Sequence, residues 1–156
     1  MKIAEFLCKS AVSSDLKAST KAEVISEMIG LLVEAGAIDK KNRNKVVDVL
    51  MAREALGSTA IGQGIAIPHG KSDATGALVA ALGVSKKGVN FDSLDGEPAY
   101  IFFLLVAPAD SAGPHLKALA RVSRLLKDKF FRDSLKGTKA DKDILELVSQ
   151  EDARVG

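Results

Sequence analysis

The feature that most constrains the fold is the run Tyr100-Ile101-Phe102-Phe103-Leu104-Leu105-Val106. It has no polar position on either side of a pleat. A strand built from it must therefore be covered on both faces, as the inner strands of helix-flanked sheets are. The apolar stretch around it, Ala99 to Ala107, is far shorter than the ~20 residues a membrane-spanning helix requires. We assign it to the centre of a sheet, ended by Pro108, which cannot donate to a ladder. Leu78-Val-Ala-Ala-Leu-Gly-Val84 is a second segment of the same kind, with turns expected at Ser85–Gly88 and at Asp92–Pro98. Ser10–Ser14 has the weaker character of a loop or an edge strand.

Helical patterns surround these strands. Thr20-Lys21-Ala22-Glu23 has capping-box spacing and opens an apolar periodicity at Val24, Ile25, Met28, Ile29 and Leu32, closed by Gly36. Asp39 is placed to cap a second helix whose inner face is Val46, Val47, Leu50 and Leu56. Its cluster of Lys40, Lys41, Arg43 and Lys45 reads as a solvated face rather than a docking patch. Pro114 suits the first turn of a third helix, with Leu116, Leu119, Ala120, Ser123 and Leu126 on one face. Shorter helices follow at Phe130–Leu135 and Lys142–Gln150. The pattern predicts an α/β fold: a mixed sheet of about five strands sandwiched between helices in three layers, forming one domain over residues 1–156.

Composition narrows the function classes. A net charge of +2 is too small for an electrostatic nucleic-acid surface, and aromatics at 4% with no Trp leave no stacking platform. The single cysteine, Cys8, excludes an internal disulfide and fits a reducing compartment. The N-terminus lacks the apolar segment of a secretory signal, so a cytoplasmic protein without membrane insertion is expected.

Chemistry concentrates between Arg53 and Lys71, where Gly57, Gly62, Gly64 and Gly70 punctuate the chain and Ile65-Ala66-Ile67 reads as a short buried strand. Pro68 should stop that strand and leave His69 just past its end, followed by a permissive glycine. Gly70-Lys71-Ser72 looks like the end of a phosphate-binding loop, but five residues separate Gly64 from Gly70 where that motif has four. A dinucleotide fingerprint fails because Ile67 stands where the third glycine belongs. A metal site is poorly supplied: neither His69 nor His115 has a ligand-spaced partner, and only a meeting in space with Asp110 or Asp73 could provide one. The remaining reading is a histidine that takes part in group transfer. A neutral imidazole is nucleophilic at ordinary pH and could hold a phosphoryl group as a phosphoramidate. Arg53, Lys71, His115 and the helix N-terminus at Pro114 are candidate donors to its oxygens. By spacing alone, a hydrogen-bonded turn histidine competes with this reading.

The string Gly57-Ser-Thr-Ala-Ile-Gly-Gln-Gly-Ile-Ala-Ile-Pro-His-Gly-Lys71 resembles the signature of the fructose/mannitol-type IIA domain of the bacterial phosphotransferase system, nearest its nitrogen-regulatory branch. The resemblance takes in Arg53-Glu54, Val89-Asn-Phe-Asp-Ser-Leu-Asp-Gly96, Leu104-Leu-Val-Ala-Pro108 and Pro114-His-Leu-Lys-Ala-Leu119. It implies a phosphoryl carrier. The phosphorylated histidine falls on His69 (through Nε2, as a tele-phosphohistidine), the supporting arginine on Arg53 and the second histidine on His115. The implied donor is the phosphohistidine of an HPr-like protein, with no metal, nucleotide or other cofactor in the step. A shallow apolar rim of Ala60, Ile61 and Ile65 is the expected docking surface. Two outcomes follow: a regulatory protein controlled by its phosphorylation state, or a sugar-transport component that hands phosphate to a IIB domain. The absence of a fused IIB or HPr-like segment, and the details of the central motif, favour the regulatory branch.

Overall fold

The computed structural model describes residues 1–156. Its strands are β1 (Leu7–Ser13), β2 (Ala60–Gly62), β3 (Ile65–Ala66), β4 (His69–Ser72), β5 (Val79–Val89) and β6 (Ala99–Pro108). Its helices are α1 (Lys21–Glu34), α2 (Arg43–Ala55), α3 (Gly113–Leu125), α4 (Lys129–Lys136) and α5 (Asp141–Arg154), with single 3-10 turns at Ile3–Glu5 and Lys40–Asn42. The sheet runs β1-β5-β6-β3-β2, and β4 also pairs with β6.

β6 is the axis of the sheet, as its apolar run requires. It pairs antiparallel with β5, from Val79 opposite Val106 to Val89 opposite Ala99. On its other side it pairs parallel with β3 and then β4, with His69 opposite Leu105. Alternation along β6 divides the core. Ile101, Phe103 and Leu105 pack with Ala118, Val122 and Leu125 of α3 and with Ile144 and Val148 of α5. Phe102, Leu104 and Val106 pack with Val24, Ile25, Met28 and Leu32 of α1 and with Val46 and Leu50 of α2. The mixed sheet and the three layers are as expected.

Helix ends follow the local signals. Thr20 accepts from the Glu23 N–H at 3.3 Å, while the Glu23 carboxylate takes the Ser19 N–H at 2.9 Å. Gly36, at φ +78, closes α1 in a Schellman motif, with Ala37 N–H bonded to Leu32 O at 2.9 Å. Asp39 caps the 3-10 turn that leads into α2 rather than α2 itself.

Four further expectations are corrected. The sixth strand exists because Pro68 interrupts the ladder without ending it. The ring removes one donor, but Pro68 O still accepts from Leu105 N–H at 2.9 Å, and the chain resumes pairing at His69. His69 is thus the first residue of a strand and not a residue beyond one. Ser85–Gly88 does not turn the chain; it lies within β5, where the register shifts between Val84 and Val89 and Gly88 adopts φ +82. Leu56 lies outside the α2 core face, 85% exposed at the helix C-cap. Finally, the inward face of α3 only partly matches the assigned one: Leu126 is in the core and Leu119 packs against it, but His115, Ala118, Val122 and Leu125 also point inward, while Leu116 is 68% exposed. Both faces satisfy a helical period, and the tertiary packing turns His115 inward.

Candidate functional site

His69 owes its orientation to the backbone two residues earlier. Its Nδ1 lies 2.7 Å from Ile67 O, and a carbonyl only accepts, so Nδ1 carries the hydrogen. Nε2 is left with its lone pair free, on a side chain that remains partly exposed.

Strand alternation sends the next residue the other way. A Cβ on Gly70 would stand 3.0 Å from Val49 Cγ1 and 3.2 Å from Leu50 Cδ1, so β4 presents its bare backbone to α2 there. His69 and Lys71 share the opposite face, toward α3. On that side His115 meets His69 edge-on, with ring centroids 5.6 Å apart and planes inclined at 72°. His115 is 6% exposed, and its buried Nε2 has no hydrogen-bond partner. Burial pushes the His115 pKa down, and the positive ends of His69 and Lys71 push it further the same way. The first turn of α3 around it holds no acidic residue and no side-chain cap, so the positive end of the helix dipole is unneutralised. An unsatisfied buried nitrogen, a free lone pair on His69, Lys71 and a helix N-terminus together form a site suited to an anion of phosphoryl size.

Arg53 sits on the last turn of α2, one turn beyond Val49. Its guanidinium donates to Gly57 O at 2.9 Å. No hydrogen bond joins it to either histidine. The structure therefore pairs His69 with His115 and holds Arg53 on the adjoining turn, with one fork of its guanidinium engaged. Asp73, named as one conceivable metal ligand, is paired with Lys45 instead.

The expected apolar rim is only partly present. Ala60 and Ile65 are buried in the core at 0% and 2% exposure, and Ile61 alone of the three is open, at 50%. The exposed apolar side chains beside the site are Leu56, next to the Arg53–Gly57 turn, and Leu116, next to His115. The sequence assigned both to the core. Their signal was their position flanking the candidate residues. Also unforeseen are the buried carboxylate of Glu54 and its partner Thr59, whose hydroxyl donates to Glu54 Oε2. Asp95, in the loop between β5 and β6, accepts from the N–H of Gln63 on the β2–β3 turn at 2.9 Å and from that of Glu97 at 3.0 Å, and these two bonds hold its carboxyl below the ordinary range.

Comparison with known proteins gives this geometry its context. The chain is 36% identical over 149 residues to a nitrogen regulatory protein of Bradyrhizobium diazoefficiens, covering 96% of this chain and 94% of that protein. It is also 36% identical over 152 residues to the fructose-specific EIIABC component of Bacillus subtilis, covering 97% of this chain but only 24% of that longer protein. The crystal structure of the nitrogen regulatory protein IIA-Ntr from Neisseria meningitidis matches with a TM-score of 0.84 at 31% identity, over 94% of this chain and 98% of that one. The model of the EIIA 2 family of the phosphoenolpyruvate-dependent sugar phosphotransferase system matches residues 5–151. The chain belongs to that family, and it is a phosphoryl-carrying EIIA component.

Proposed function

We propose that this EIIA protein accepts a phosphoryl group on Nε2 of His69 from the phosphohistidine of an HPr-like protein. The observation that carries the reading is the Nδ1 contact to Ile67 O at 2.7 Å, which keeps the Nε2 lone pair available beside the unpartnered His115. In the transfer, the donor's N–P bond breaks as the bond from His69 Nε2 to phosphorus forms in line. The electron pair of the broken bond stays on the donor imidazole. The positive charge developing on the His69 ring is shared through Nδ1–H with Ile67 O. A hydrogen on His115 Nε2 donates to a phosphoryl oxygen, and Lys71 and Arg53 supply fixed positive charge. Catalysis of such a loose transfer is largely positioning and charge stabilisation, so no cofactor takes part in the step. Leu56, Ile61 and Leu116 form the apolar part of the partner's landing surface.

The regulatory branch is supported by the nitrogen regulatory relative, which matches this chain almost end to end. In that role, phosphorylation adds roughly two negative charges beside Leu56 and Leu116 and changes which proteins dock there. The sugar-transport reading, with a IIB domain as acceptor, draws on the equal identity to the fructose-specific protein. With either role the protein works in the cytoplasm. No helix is long and apolar enough to cross a membrane.

Intact mass after incubation with phosphoenolpyruvate, enzyme I and an HPr-type protein tests the carrier step. Wild type should gain one acid-labile phosphate, and His69→Ala none. Phosphorylation of His69→Ala to the same extent would overturn the assignment. Rapid removal of the phosphate by a sugar-specific IIB would decide for transport over regulation.

A further inference from the structure

We infer that Glu54, acting through Thr59, is a positioning residue that aligns both Arg53 and His69 for transfer; this rests on the carrier reading above. Glu54 follows Arg53 on the last turn of α2 and is 6% exposed. A carboxylate is buried at this depth only when its oxygens are well partnered. Oε1 accepts the Thr59 N–H at 3.2 Å and lies 3.2 Å from Lys21 Nζ, and Oε2 accepts the Thr59 hydroxyl. Lys21 is itself fixed by Asp92 at 3.1 Å and stands 5.0 Å over the Phe91 ring. The hydroxyl of Ser58 donates to Phe91 O, so the neighbouring residue of the same turn is tied to the same loop.

Thr59 passes this order on. Its carbonyl accepts the Ile67 N–H at 3.1 Å, and the Ile67 carbonyl is the one that holds His69 Nδ1. The path Lys21–Glu54–Thr59–Ile67–His69 is thus continuous through hydrogen bonds, one ion pair and the peptide chain. The second branch is equally short. Gly57 N–H donates to Glu54 O at 3.1 Å, and Gly57 O is the acceptor for Arg53. The turn Gly57–Thr59 therefore anchors the guanidinium at one end and the imidazole tautomer at the other. Neither Glu54 nor Thr59 touches the transferred group. Losing their contact should loosen the reacting geometry, and misplacements of about 1 Å can cost ~10²-fold in rate.

The test compares Thr59→Val, which replaces the hydroxyl by a methyl group and leaves a buried carboxylate oxygen unpaired, with Thr59→Ser, which keeps the hydroxyl. Two readouts are taken: the ¹⁵N shifts of the His69 ring in a folded sample at neutral pH, and single-turnover transfer from a phosphorylated HPr-type protein over a range of donor concentrations. In Thr59→Val the His69 ring should move from the Nδ1–H form toward a tautomer mixture. The maximal rate should fall about tenfold or more, with the half-saturating donor concentration unchanged. Thr59→Ser should return both readouts to within about twofold of wild type. A folded Thr59→Val with unaltered His69 shifts and unaltered maximal rate would overturn the proposal. Where Thr59→Val does not fold, Lys21→Met, which removes the ammonium from Glu54, is read the same way. If no donor phosphorylates wild type, the carrier reading falls alone, and the ring shifts still decide whether Glu54 positions His69.

Discussion

His115 meets His69 edge-on at 5.6 Å between ring centroids, and the buried Nε2 of His115 is bonded to nothing. Leaving such a nitrogen unpaired costs about 1–3 kcal/mol, and a phosphoryl oxygen arriving on His69 would remove that cost. On the proposed transfer to His69, the pair is better satisfied with the phosphoryl group bound than without it, and this would favour the product and its transition state over the resting protein.

Removing that donor is the direct check. His115→Ala should fold normally, because the side chain lies at the end of α3 and not at the centre of its packed face. Phosphoryl transfer should slow by ~10²-fold, the usual consequence of losing one aligned donor. Rapid-quench measurement of His69 phosphorylation would decide it; an unchanged rate would remove His115 from the site.

Arg53→Lys should behave as a damaging change despite keeping the charge. The guanidinium spends one N–H on Gly57 O and keeps others for phosphate oxygens, whereas an ammonium cannot divide its geometry in this way. The expected result is a transfer rate down by about tenfold or more with little change in unfolding midpoint. Equal rates in the two proteins would mean that only net charge matters at this position.

The depressed pKa of His115 predicts a pH dependence of stability. The unfolded chain takes up this proton near the ordinary histidine value of about 6.5, and the folded chain only at lower pH. Between those two values the unfolded state binds more protons, so stability rises with pH across the window and falls on acidification through it. Urea unfolding of wild type should weaken from pH 7.5 to the acid side of 6.5, and His115→Gln should lose less over the same interval. A parallel pH dependence in the two proteins would assign the effect to other groups.

Asp152 gives a prediction away from the site. It is 5% exposed and accepts from Ile3 N–H at 2.8 Å and Arg121 Nε at 2.9 Å, joining the N-terminus, α3 and α5. Asp152→Ala leaves the Arg121 charge buried without its partner, which costs about 3 kcal/mol. Denaturant titration should show that loss, while the extent of phosphoryl transfer to the folded fraction should match that of wild type.

The sequence by itself determined the layering of this protein. A β6 run apolar at every position can be buried only between two layers, and the Thr20 and Gly36 signals set the ends of α1 through bonds made within a few residues. It also marked His69, Arg53 and His115 as candidates. Tertiary structure decided what local signals left open. Pro68 interrupts a strand instead of ending it because the parallel neighbour β6 supplies a donor at Leu105 that no local pattern encodes. Either face of α3 satisfies its periodicity, and only packing against the sheet turns His115 inward and leaves Leu116 in solvent. The carboxylate of Glu54 gave no sign of burial, since its partners Lys21 and Thr59 come from α1 and from the turn beyond α2. Side-chain chemistry is legible one residue at a time, whereas the His69–His115 pair joins residues far apart in the chain, and only the folded sheet brings them into contact.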